Sequence, residues 1–200
     1  IENRVVGRII GTLVSPMYGG AIYEKRSCLE DKLNQQIASP NFSLIDDPHI
    51  PRGLGSRAHD GDGRPTTKRV LVEDGILKTW LLNVYYARRL NVQPTTSSTS
   101  NLIVPSGNQS PIELISDLPW AIQVDGFLGG NSNPATGKYS FGIRGTLFEK
   151  GEAVAPISEM NITGSSCYCF SCSVSIHSIL LTLNIISSFK SYSNIVITSG

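Results

Sequence analysis

Two short hairpin signals constrain the fold of this chain more than any other stretch. Val70-Leu71-Val72-Glu73 and Ile76-Leu77-Lys78-Thr79-Trp80-Leu81 flank the pair Asp74-Gly75. Asp and Gly accept the positive φ that a two-residue primed turn demands, and that turn matches the twist of two antiparallel strands. A hairpin closing at Asp74-Gly75 is therefore predicted. A second is predicted from Tyr139 to Phe148 and Ala153 to Ile157, around Glu149-Lys150-Gly151-Glu152. Its Phe-Glu-Lys-Gly echoes the earlier Val-Glu-Asp-Gly, which is read as turn chemistry rather than duplication.

Helical spacing is confined to a few places. Apolar residues at Val5, Val6, Ile9, Ile10, Leu13 and Val14 predict a helix over 4–14 with one buried face, ended by Pro16. Gly7 and Gly11, four apart on one side, would let another backbone approach closely; simple tolerance of glycine, at roughly 1 kcal/mol each, is an equal reading. Leu29, Leu33 and Ile37 allow a short helix over 28–37, after a turn at Gly19-Gly20. Residues 82–91 are predicted helical, with Arg88-Arg89 near the C-terminus, where cations suit the dipole. Ser110-Pro111-Ile112-Glu113 is a helix start reaching about Asp117, with Ser as cap and Pro at the first position. Short strands are expected at 42–45, 101–104 and 120–124, a bend at 126–131 and a mobile polar loop at 93–100.

Between the first strand and the first hairpin lies the most distinctive segment, Asp46 to Gly63. It contains Asp46-Asp47-Pro48-His49, Arg52-Gly53-Leu54 and Asp60-Gly61-Asp62-Gly63. Pro fixes φ, Gly frees it, and repeated Asp-Gly pairs mark tight turns, so the segment is one shaped loop. His49, His59, Asp60 and Asp62 could in principle ligate a metal, which would make the chain an autonomous metallohydrolase. Zinc, however, needs converging ligands, and ten residues of Pro/Gly-rich loop between the histidines specify no convergence. Asp caps and histidine hydrogen bonds explain the same residues as architecture. The Asp60-x-Asp62 pair lacks the remaining positions of a calcium loop.

Composition narrows the function classes. Seventeen Lys and Arg against sixteen Asp and Glu give a net charge of +1, without the basic footprint of a nucleic-acid binder. The 126–131 glycines lack both the Lys-Ser/Thr of a phosphate loop and the order of a dinucleotide site. No Gly-x-Ser-x-Gly elbow and no His-Glu-x-x-His occurs. Cys28 stands apart from the clustered Cys167, Cys169 and Cys172, which is no secreted disulfide framework, so a reducing cytoplasm is expected. The chain opens Ile1-Glu2-Asn3 and reads as the later part of a longer protein.

From residue 165 the composition changes. Residues 165–200 hold eleven serines, one charged residue (Lys190) and no acid. The apolar run from Val174 to Phe189 falls short of the ~20 residues a membrane helix needs. Cys167-x-Cys169-x-x-Cys172 with His177 has the composition of a Cys3His zinc site, but sits in a stretch better explained by a shifted frame or alternative exon. Two units are expected: a domain over 1–164 and an atypical Ser/Cys-rich tail over 165–200.

Taken in order, several pieces carry a family likeness. They are Gly19-Gly20-Ala21-Ile22-Tyr23, Asp46-Asp47-Pro48-His49 with Arg52-Gly53-Leu54, Asp60-Gly61-Asp62-Gly63, Glu73-Asp74-Gly75-Ile76-Leu77, Tyr86-Ala87-Arg88-Arg89-Leu90, Thr136-Gly137 with Tyr139-Ser140, and Pro156 to Gly164. In this order the chain resembles the C-terminal domain of the TldD/PmbA family, closer to the PmbA/TldE branch. The resemblance implies an α+β fold, an antiparallel β-rich, barrel-like sheet domain with a few flanking helices. It also implies a cytoplasmic peptidase heterodimer in which a TldD-like subunit carries zinc on a helical His-Glu-x-x-x-His motif. A PmbA/TldE-like partner lacks that motif, and a peptide is held as an added strand. The 4–14 helix lies where the zinc motif would sit and offers Val, Gly, Arg and Ile instead. No catalytic, cofactor-binding or metal residue is therefore assigned in this chain, and zinc is expected on the partner. A gyrase-modulator role, the other reading tied to PmbA-like proteins, would act through protein contacts, since the charge argues against direct DNA binding.

Overall fold

The computed structural model describes residues 1, 3–105, 111–116, 118–165, 174–175 and 178–179. The chain opens with helix α1 (Asn3–Val14), which Pro16 converts into a 3-10 turn at Ser15–Met17. A short helix α2 (Gly19–Tyr23) follows directly. Strand β1 (Leu44–Asp46) precedes the hairpin of β2 (Arg69–Glu73) and β3 (Ile76–Leu77). Helix α3 (Val84–Arg89), strand β4 (Leu102–Ile103) and helix α4 (Pro111–Ser116) lead to three long strands, β5 (Trp120–Ser132), β6 (Lys138–Glu149) and β7 (Glu152–Ser165). A small hairpin, β8 (Val174–Ser175) with β9 (Ser178–Ile179), completes the described elements.

The strands form two larger antiparallel sheets, one ordered β3-β2-β1-β4 and one ordered β5-β6-β7. This is the expected α+β class with antiparallel sheets and flanking helices. Among the described residues the sheets stay open, so the barrel-like expectation gives way to two separate layers. One apolar core joins them. It takes Ile9 and Leu13 from α1, Leu44, Leu71 and Leu77 from the first sheet, and Phe141, Ile143 and Ile162 from the second. The α1 face that carries Ile9 and Leu13 is buried, while Gly7 and Gly11 remain at the surface.

Both hairpins close as the turn chemistry predicts. Asp74 and Gly75 adopt φ of 48° and 78°, and Lys150 and Gly151 adopt 50° and 85°. Helix α3 is capped by Asn83, whose side chain accepts from the Tyr86 N–H, and Arg88 and Arg89 fill its last turn.

Several expectations fail for local reasons. Residues 28–37 form turns instead of a helix, because their N–H groups are taken by the neighbouring hairpin: Asn34 donates to Leu77 O, and Ile37 and Ala38 donate to Gly75 O. Gly19-Gly20 opens α2 rather than a free turn. Tyr86 packs over both glycines, and a Cβ on Gly19 would lie 2.7 Å from the Tyr86 Cβ. The glycine-rich 126–131 segment is strand, not bend. It carries β5 through register shifts at Val124/Gly126 and Phe127/Gly129. The 93–100 loop is firmly held by the hydrogen bonds described below. Cys28, which the sequence sets apart, is disulfide-bonded; the other three cysteines lie outside the described residues. A bonded Cys28 gives no support to a reducing compartment.

Candidate functional site

Helix α1 and strand β4 face each other across a cleft of about 490 Å³. On the helix side its wall includes Val6, Gly7 and Gly11, and on the strand side Leu102, Ile103 and Val104. None of the residues lining it is charged. The two glycines widen it: no atom lies within 4 Å of where a Cβ on Gly7 or Gly11 would stand. Strand β4 is an edge. It pairs with β1 on one side, and among the described residues no strand pairs on the other. A concave, uncharged cleft beside an open strand edge offers main-chain donors and acceptors together with apolar walls.

The edge strand is held by the Asp46–Gly63 loop. Asp46 is 2% exposed, and its Oδ1 accepts the Ser100 N–H at 2.6 Å and the Ser100 hydroxyl at 2.5 Å. Asn101, the next residue, accepts the Gly55 N–H at 2.9 Å through Oδ1. Its Nδ2 donates to Asp47 O and to Ser56 Oγ, each at 2.8 Å. Arg57 Nη2 reaches Ser98 O at 2.7 Å, Ser98 Oγ at 2.9 Å and Thr99 O at 2.8 Å. Gly61 N–H donates to Ser97 Oγ, and Thr95 bonds both Leu82 N and Trp80 O. The loop thus grips each residue from 97 to 101, Thr95 is tied to residues 80 and 82, and β4 follows immediately.

The four residues of the metal alternative are spent on this architecture. His49 Nε2 pairs with Thr66 Oγ1 at 3.2 Å, and His59 pairs through its main chain with Pro65. Asp60 Oδ1 accepts the N–H groups of Asp62 and Arg64 at 3.0 Å each, and Asp62 Oδ2 accepts the Val84 N–H at 2.7 Å. Burial works against the Asp60 charge, but the Arg64 and Asp62 amides outweigh it and hold the carboxyl below its ordinary range. The Asp47 carboxyl is lowered by the His49 N–H and by Lys68, 3.1 Å away. Among the described residues no three His, Cys, Asp or Glu side chains gather where a metal could sit. Cys167, Cys169, Cys172 and His177 lie outside the described residues.

The donor set of the cleft does not suit zinc either. Its helix wall offers Val, Gly and Ile, and its polar side chains are hydroxyls of Ser15, Tyr18 and Thr99, none a ligand zinc prefers. The Gly7 and Gly11 spacing flagged one wall of this cleft in the sequence. Leu102 and Ile103 carry no such signal, because a two-residue strand shows its edge position only once β1 is placed beside it.

Known proteins are similar to this chain in sequence and fold. The family described as the PmbA/TldA metallopeptidase C-terminal domain matches residues 1–186. Metalloprotease PmbA of Escherichia coli O157:H7 is 32% identical over 165 residues, covering 82% of this chain and 37% of that protein. A solved structure from Bacteroides thetaiotaomicron, described as a candidate modulator of DNA gyrase, is 35% identical with a TM-score of 0.77. The match covers 86% of this chain and 41% of that one. TldE from Thermococcus kodakarensis has the same fold at 23% identity, with a TM-score of 0.75 over 96% of this chain and 45% of its own. The chain thus spans under half the length of these relatives.

Proposed function

We propose that this chain, which belongs to the PmbA/TldA metallopeptidase C-terminal domain family, is a non-catalytic, PmbA/TldE-like subunit domain of a zinc metallopeptidase. In this reading the α1–β4 cleft forms a wall of the peptide chamber, and an unfolded or modified peptide lies along β4 as an added strand. Zinc and the water it activates belong to a TldD-like partner subunit. The observation that carries the reading is the composition of α1. It borders an open strand edge, where the zinc motif of a TldD-like subunit would fall, and presents Val6, Gly7, Ile10 and Gly11 to the cleft. Such a surface can hold a peptide main chain but can neither ligate a metal nor move a proton.

The Asp46–Gly63 loop braces this surface by fixing residues 97–101. No observation favours the autonomous metallohydrolase, whose four residues serve turns and caps. A gyrase-directed role belongs to the description of a structural neighbour, and the net charge of +1 gives DNA no electrostatic hold. Among the described residues no helix is long and apolar enough to cross a membrane. A cytoplasmic assembly is part of the proposal and rests on the family likeness; a boundary between 164 and 165 rests on the composition change alone, since the family match runs across it to residue 186.

The test is co-purification of the intact protein with a zinc-bearing TldD-like subunit, followed by cleavage of an unfolded polypeptide. The reading expects a stable complex that cleaves faster than the zinc subunit alone. A zinc subunit equally active by itself would remove the supporting role.

A further inference from the structure

We propose that the main chain of Leu102 is the anchor that sets the register of a peptide in the cleft. This rests on the added-strand reading above. In the β1–β4 ladder Ile45 faces Ile103 and Asp46 faces Leu102. One step further on, the Asp47 N–H donates to Asn101 O at 2.9 Å. That bond makes Asp47 and Asn101 a hydrogen-bonded pair. Antiparallel pairs alternate between bonded and non-bonded, so Ile45 with Ile103 is bonded and Asp46 with Leu102 is not. The Leu102 N–H and C=O therefore point away from β1, across the open edge.

The surroundings favour one kind of occupant. Leu102 is 36% exposed, high for a leucine in so short a strand, and it lines the cleft. A neighbouring strand needs about 4.8 Å from β4, and on the far side Gly7 and Gly11 leave the wall bare. The lining carries no charge, so an ionised side chain entering it would lose water without gaining a partner. The occupant is an extended segment of uncharged residues, with one residue exchanging main-chain hydrogen bonds with Leu102. Both ends of the edge are constrained. Asn101 is tied to the 53–56 turn on one side, and Pro105, which has no N–H, follows on the other. Leu102 is therefore the one residue of β4 that offers a donor and an acceptor to a guest.

Proline substitution separates this role from folding. The Leu102 N–H takes no part in the β1–β4 ladder, so Leu102→Pro removes the outward donor together with the leucine side chain, at an edge position where proline is tolerated, and Leu102→Ala measures the side-chain part alone. The Ile103 N–H lies in the ladder, and Ile103→Pro is expected to melt at a lower temperature than Leu102→Pro. The probe is a blocked, fluorescently labelled pentapeptide of alternating serine and valine, titrated into the intact chain by anisotropy. Wild type is expected to bind, Leu102→Pro to bind at least about tenfold more weakly, and Leu102→Ala to lie between them. Equal binding by wild type and Leu102→Pro overturns the anchor while leaving the added-strand reading intact. A wild-type chain that ignores the probe overturns both. Should Leu102→Pro not fold, the same probe N-methylated at each amide in turn replaces it. Loss of about tenfold at one or two alternate amides is expected, and a uniform response to every methyl group overturns the anchor.

Discussion

Asp46 and Ser100 are joined twice, since the N–H and the hydroxyl of Ser100 both donate to the same buried Asp46 Oδ1. Asp46 ends β1 and Ser100 stands two residues before β4, so this pair fixes where the edge strand begins. Asp46→Ala is expected to lower stability by about 3 kcal/mol, the scale of losing hydrogen bonds to a buried charged group. Ser100→Ala should cost about half as much, because one main-chain bond to Asp46 survives. Urea titration of both variants and their double mutant checks this. Strictly additive costs would contradict direct coupling.

Acid should act first on the Asp46–Gly63 loop. The carboxyls of Asp60 and Asp47 are held below the ordinary value of 3.8 by main-chain N–H groups and by Lys68. A carboxyl lowered in the folded state contributes stability above its unfolded pKa, and that contribution is lost as the pH falls through the folded value. Stability should therefore drop below about pH 4. Asp60→Asn is expected to flatten that acid limb and leave the slope near neutrality unchanged. Thermal melts across the acid range supply the comparison, and an unaltered acid limb would remove Asp60 from the account.

Glycines at three positions should respond in opposite directions. Gly75 has φ of 78°, and a Cβ there would stand 2.2 Å from Ala38 O and 2.6 Å from Ser39 O. Gly75→Ala is expected to cost more than about 2 kcal/mol, through the strained φ and the backbone clash together. Gly7 and Gly11 lie in a helix with open space around them. Their alanine variants should each stabilise the fold by about 0.5–1 kcal/mol. Differential scanning calorimetry of the three variants decides, and a stabilised Gly75→Ala would show that the turn is not as described.

Local signals make a good part of this fold legible in the sequence. The Asp74-Gly75 and Lys150-Gly151 turns, the apolar stripe of α1 and the Pro111 helix start each depend on residues a few positions apart, and each formed. What failed depended on distant partners. The Leu29, Leu33 and Ile37 spacing is compatible with a helix, but the 34–38 backbone bonds instead to Gly75 and Leu77 of the β2–β3 hairpin. The 126–131 glycines resembled a bend. They are strand because β6 comes so close that a Cβ on Gly130 would meet Ser140 O at 2.1 Å. The serine-rich composition of 93–100 predicts a mobile loop, but Arg57 and Asp46 hold it through partners some forty to fifty residues away in sequence. The cleft was half legible, with Gly7 and Gly11 marking one wall in sequence and β4 reaching the other only through sheet pairing.

The central claim is that the α1–β4 cleft holds the peptide while chemistry occurs on a partner. The most direct measurement is kcat/KM for cleavage of an unfolded polypeptide by the assembled pair of subunits, comparing the wild-type chain with Gly11→Leu. The larger side chain enters open space at Gly11 and so fills the cleft without disturbing the core. The account predicts a complex of unchanged stoichiometry, melting no lower than the wild type, whose kcat/KM falls at least about tenfold. An intact complex with undiminished kcat/KM would contradict it.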